Sequence, residues 1–64
     1  MKQIRVILKN KWIVDTLVED EQVKVKVDEI TDSMELDRNS FRLSDTQIIN
    51  PRKIIAIEVN EVKA

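Results

Sequence analysis

Asp28, Glu29, Asp32, Glu35 and Asp37 place five carboxylates within ten residues, the densest group in the chain with any capacity for chemistry. Hard cations such as Ca²⁺ and Mg²⁺ take several oxygen ligands, so a metal site is the first reading to weigh. An EF-hand loop needs acids at alternate positions, a Gly at its sixth and a Glu at its twelfth, and that register is missing. The run reads as a solvated acidic segment. Among twelve acids a carboxylate pair for general acid–base work is conceivable, yet no spacing singles one out. The chain has no Cys, no His and no Gly. Thiol nucleophiles, Ser-His and Cys-His dyads, thiolate or imidazole metal sites and Gly-rich phosphate loops are therefore excluded. No metal or cofactor is expected, and neither is an enzyme.

The second candidate is basic. Arg5, Lys9, Lys11, Lys24 and Lys26, with Lys2 and Trp12 nearby, are ingredients of a nucleic-acid face, where cations follow phosphates and an aromatic ring stacks on a base. Outward-pointing solubilising lysines are the plainer reading, because the net charge is −1 and aromatics are confined to Trp12 and Phe41. Charge is nevertheless polarised along the chain. Residues 1–14 carry four bases and no acid, whereas residues 15–37 carry nine acids against Lys24 and Lys26. An acidic face built from residues 15–37 would suit a DNA-mimicking inhibitor, a third and weaker reading.

These residues must be positioned by few elements, since 64 residues make one small domain. Nine Ile, eight Val and three Thr against two Ala favour strands, because branched side chains pack well on a pleated surface. The expected fold is mostly β: a small antiparallel barrel or curled sheet of about five strands, with first and last strands paired and one short helical turn at Asn50-Pro51.

Ile4, Val6 and Leu8 alternate with Gln3, Arg5, Ile7 and Lys9 as a half-buried strand. Asn10, tolerant of positive φ, is expected to turn the chain into a second strand over 12–18. Val14, Leu17 and Val18 also fit a helix over 12–20. Val23-Lys24-Val25-Lys26-Val27-Asp28 predicts a strand with the valines buried and the lysines in solvent. Over 28–40 the reading is irregular structure or a short strand; Ile30 and Met34 at i, i+4 supply the helical alternative. Phe41 and Leu43 mark a further strand, with a turn at residues 44–47, and Ile55, Ile57 and Val59 mark the closing one.

Ile7, Ile13 and Ile54 then remain on faces opposite the nominal core, which suggests burial against a second copy or another protein. Trp12 is expected to cap the core; if exposed, it is the first interface candidate. A chain this small, without disulfides or metal, commonly needs a partner subunit. It has little room for a ligand-sized pocket of ~300 Å³, so no small-molecule substrate is expected. No apolar run approaches the ~18 residues of a spanning helix, and no membrane association is expected.

The opening Met1-Lys2-Gln3-Ile4-Arg5-Val6-Ile7-Leu8-Lys9-Asn10 and the closing Ile48-Ile49-Asn50-Pro51-Arg52-Lys53-Ile54-Ile55-Ala56-Ile57-Glu58 resemble the ends of short proteins from low-GC Gram-positive bacteria and their phages. Those proteins start with a strand and an Asn-Gly hairpin and finish with an INPxxIxxIE turn and strand. Here Lys11 stands where the hairpin Gly is usual. The resemblance implies a phage or mobile-element accessory protein, located in the cytoplasm of the host, and it carries no catalytic residues. Together with the residues themselves it leads to an expected protein-interaction domain that binds itself or a host protein. A small nucleic-acid-binding barrel using Arg5, Lys9, Lys11, Lys24 and Lys26 is the alternative.

Overall fold

The computed structural model describes residues 1–62. Strands β1 (Lys2–Leu8) and β2 (Ile13–Val18) form a hairpin, followed by a 3-10 turn (Asp20–Gln22) and helix α1 (Val23–Glu35). A second hairpin of β3 (Phe41–Ser44) and β4 (Gln47–Ile49) leads through a 3-10 turn (Pro51–Lys53) into β5 (Ile54–Glu61). All pairings are antiparallel, in a three-stranded sheet of order β2-β1-β5 and a separate β3-β4 pair. The fold is mostly β, with five strands and one helix. First and last strands do pair, with β1 at the centre, but the strands do not close into a barrel: β2 and β5 are the edges of an open sheet.

Period-two alternation on β1 explains why the core lies on one side of this sheet. Ile4 and Val6 are fully buried and Leu8 packs against them, while Gln3, Arg5 and Ile7 point the other way. Ile30 of α1, Leu43 of β3, Ile49 of β4 and Ile54 of β5 complete the buried cluster. Helix and second hairpin thus cover a single face of the sheet. Its other face carries no further layer among the described residues.

The valine-lysine segment is a helix, not a strand. Val23, Lys24, Val25, Lys26 and Val27 form the first turns of α1, and residues 28–35, expected to be irregular or extended, continue it. Val23, Val27, Ile30 and Met34 recur at i, i+4, i+7 and i+11, so a helix gathers them on one stripe. A strand would have buried Val25 and lost the phase at Asp28-Glu29. In the helix Val27 and Ile30 reach the core, whereas Val25 is 49% exposed. Lys24 bonds Asp28 at 3.2 Å, and the half-buried Lys26 lies 3.8 Å from Glu29 and 5.9 Å from the Phe41 ring centroid. The acids Asp20 and Glu21 precede the helix, where its dipole favours negative charge.

At its C-terminus α1 closes with a Schellman motif: the Arg38 amide donates to the Ser33 carbonyl and the Asp37 amide to that of Met34, both at 3.1 Å. Asp37 takes the left-handed conformation, φ 56°, that this motif requires.

Four other local expectations fare differently. Residues 13–18 are extended, so the helical alternative over 12–20 does not form. The β1-β2 turn is present, but its positive φ falls on Lys11, at 65°, and not on Asn10. Asn50 accepts a 3.0 Å bond from the Arg52 amide with Pro51 at the first turn position, as the sequence indicated. Ile54, expected opposite the core, is inside it. The β1-β5 register shifts at Ile7/Leu8, where Leu8 pairs with Ile54 and Ile7 with Ala56. The extra residue, Ile55, is left unpaired and exposed, and strict alternation cannot foresee such a bulge.

Candidate protein-interaction site

The end of the first hairpin and the start of the closing turn leave a groove between them. Trp12, Ile13 and Val14 line one wall and Gln47, Ile48 and Ile49 the other, enclosing about 450 Å³ that opens to solvent. This exceeds the concavity expected for so short a chain, because it forms between two hairpins and not within a core. Trp12 is 66% exposed, so it does not cap the core, and Ile13 and Ile48 are more than half exposed beside it. Full burial of an apolar side chain is worth on the order of 1.5–3 kcal/mol, and a partner that covered these three would gain the half to two-thirds of that which their remaining exposure leaves. The groove is held by Gln47, whose side-chain amide donates to the Asp15 carbonyl at 3.1 Å and accepts from the Ser44 hydroxyl at 2.9 Å. The β4 wall is thereby fastened to strand β2.

Of the interface residues expected from sequence, Ile7 and Ile13 are brought together. They are directly opposed on the open face of the sheet, with Ala56 opposite Ile7 on the other side. Trp12 adjoins them at the strand end, whereas Ile54 lies in the core. Ile48 was missed, although the adjacent pair Ile48-Ile49 carries a signal: on a strand, neighbours face opposite ways, so one of the two must point outward.

The cations are not gathered on one face. Arg5 stands in the middle of the open sheet face between Asp15 and Glu58, its opposed neighbours on β2 and β5. Its Nε donates to Asp15 Oδ1 at 2.9 Å and its Nη2 to Oδ2 at 3.4 Å. The hydrogen bond and charge of Asp15, and further the charge of Glu58, raise the guanidinium above its ordinary pKa. Lys24 and Lys26 belong to α1, on the opposite side of the sheet. Lys9 and Lys11 are exposed at the β1-β2 turn, beside Trp12.

No protein-family model, curated protein or solved structure matches the chain.

The carboxylates of the acidic run are spread over the helix and the residue pair that follows it, and three of the five are engaged by cations. Asp28 pairs with Lys24, Glu29 approaches Lys26, and Asp37 Oδ1 accepts from Arg52 Nε at 2.9 Å. Among the described residues no three acids converge as a cation would require. A second concavity of about 420 Å³, lined by Asp32, Ser33, Leu36, Arg38 and Phe41 among others, alternates acid, base and apolar groups without a focus.

Proposed function

We propose that the chain is a non-enzymatic protein-interaction domain whose binding surface is the groove flanked by Trp12, Ile13 and Ile48. The observation that carries this reading is the exposure of a Trp and two Ile around one concavity, on a surface otherwise rich in charge. In keeping with the resemblance of its two ends, the partner is a protein of the host cytoplasm in which a phage or mobile-element accessory protein acts. Trp12→Ala and Ile48→Glu alter exposed side chains and leave the core intact. A host protein retained on the immobilised chain, released by these substitutions and unaffected by nuclease, is the expected result. Retention that ignores both substitutions would remove the groove from consideration.

The nucleic-acid alternative is favoured by one observation, the placement of Lys9 and Lys11 beside exposed Trp12. Two or three cations at a turn release few counterions. Titration of single-stranded DNA at two salt concentrations should then give weak binding with a log–log slope of only about −1 to −2, at ~0.7 per phosphate neutralised. Submicromolar, sequence-selective binding at physiological salt would place this reading ahead of the protein partner.

A further inference from the structure

The two edges of the main sheet are treated differently. On β1 the Leu8 amide donates toward β2, to the Trp12 carbonyl at 2.8 Å, and the Lys9 amide donates toward β5, to the Lys53 carbonyl at 2.9 Å. Backbone groups alternate in direction along a strand, so even-numbered residues of β1 bond β2 and odd-numbered ones bond β5. Gln3, Arg5 and Ile7 oppose Asn60, Glu58 and Ala56. The amides and carbonyls of Ile57, Val59 and Glu61 therefore point away from the sheet. On β2 the outward groups are those of Ile13, Asp15 and Leu17, and here the Asp15 carbonyl is already occupied by Gln47. β5 has no such guard among the described residues: it is the longer edge, contains no Pro or Lys, carries Glu58 and Glu61 as its only charges, and shows 61% of Ile55 and 43% of Val59 to solvent. Natural edges are ordinarily blunted by charge, Pro or a covering element.

We infer that β5 pairs antiparallel with β5 of a second copy, giving a continuous six-stranded sheet about a two-fold axis. This deepens the protein-binding reading by naming one partner, through a surface separate from the groove. Register selects itself by charge. Outward backbone groups belong to odd-numbered residues, so odd must oppose odd. Centring the axis on Glu58 would set that acid against its own copy, and centring it on Val59 would set Ile57 against Glu61. Centring it on Ile57 opposes Ile57 with Ile57 and Ile55 with Val59, and past the bulge, where the parity of the strand shifts, it brings Glu61 alongside the basic turn that ends at Lys53. Apolar pairs and opposite charges directly across a ladder stabilise it, and like charges do the reverse. With the axis normal to the sheet, both helices lie on one side and both open faces, with Arg5 at their centres, on the other.

Such an interface is smaller than the ~1,200 Å² of a standard complex, so the dimer is expected to dissociate on dilution. Sedimentation of the full chain over a hundredfold concentration range should move from 7.5 kDa toward twice that mass. Val59→Pro removes an outward amide and no bond to β1, and Ile55→Lys places a charge on an exposed position. Each should hold the chain at monomer mass with its circular dichroism unchanged. Lys53→Glu and Glu61→Lys should each weaken the dimer about tenfold, and the double exchange should restore it. Monomer mass throughout for the unaltered chain overturns the inference, as does a dimer indifferent to Val59→Pro and Ile55→Lys. Capture through Trp12 and Ile48 is scored separately on the Val59→Pro chain. Loss of the edge pairing alone therefore leaves the groove reading standing, and loss of groove capture alone leaves the dimer.

Discussion

Lys11 and Asp37 hold left-handed backbone in a chain that has no glycine to offer. For an L-residue this conformation costs ~1–2 kcal/mol, against the ~0.5–1 kcal/mol of chain entropy that a Gly would forfeit. Lys11 makes no bond through its side chain among the described residues, so Lys11→Gly relieves strain and removes nothing. It should raise stability by about 0.5–1 kcal/mol, or a few degrees in melting temperature, read by thermal denaturation. Asp37 differs. Its carboxylate and its carbonyl both accept from Arg52 Nε, at 2.9 and 3.2 Å, and tie the end of α1 to the closing turn. Asp37→Gly should gain less than Lys11→Gly, the difference measuring what the carboxylate contributes to that tie, since the carbonyl remains. Arg5 lies beyond the reach of ordinary pH. The hydrogen bond and charge of Asp15 raise its pKa further, so the contribution is fully present below the guanidinium's ordinary pKa and is lost only in more strongly alkaline solution.

At the scale of elements, α1 and β5 make opposite demands on the same residue types. Val25 sits on the solvent side of the helix, so Val25→Asp should be nearly silent, within about 0.5 kcal/mol. Ile30 is fully buried between helix and sheet, and Ile30→Ala should cost ~2–5 kcal/mol. Had the segment been a strand, Val25→Asp would have unfolded the chain. Urea titration of the two variants therefore reads out the helical placement of Val25 and Ile30 directly. On β5, Ile54→Glu buries a charge beneath the bulge and should unfold the monomer, whereas Ile55→Lys, one residue on, should not.

The whole molecule is an open two-layer structure. One sheet face is packed by α1 and the β3-β4 hairpin; the other shows Arg5 between two acids, with Ile7, Ile13 and Ala56 to one side. At ~0.05–0.15 kcal/mol per residue, a chain of this length has only about 3–10 kcal/mol of stability. Association through β5 couples to that small margin by mass action. The melting temperature should accordingly rise with protein concentration for the unaltered chain and stay constant for Val59→Pro, a comparison calorimetry can make directly.

The sequence by itself determined what is local and repeated. The alternation of Ile4, Val6 and Leu8 with Gln3, Arg5 and Ile7 set the core face of β1, and Asn50-Pro51 set the turn before β5, because each depends on backbone geometry within a few residues. The exposed Ile13 beside Ile7 was also legible, as an apolar residue left over once one face is assigned. Tertiary structure decided the rest. Val23 to Val27 by itself fits period two better than period 3.6, and the choice fell to the helix because Val23, Val27, Ile30 and Met34 together form one stripe, with which Val27 and Ile30 cover the sheet. Which of Ile54 and Ile55 enters the core depended on a bulge against β1, a pairing partner more than forty positions away. The groove between Trp12 and Ile48 exists because two hairpins distant in sequence meet at Asp15 and Gln47. Free edges, likewise, are a property of strand order, since every strand offers the same backbone groups until its neighbours are fixed.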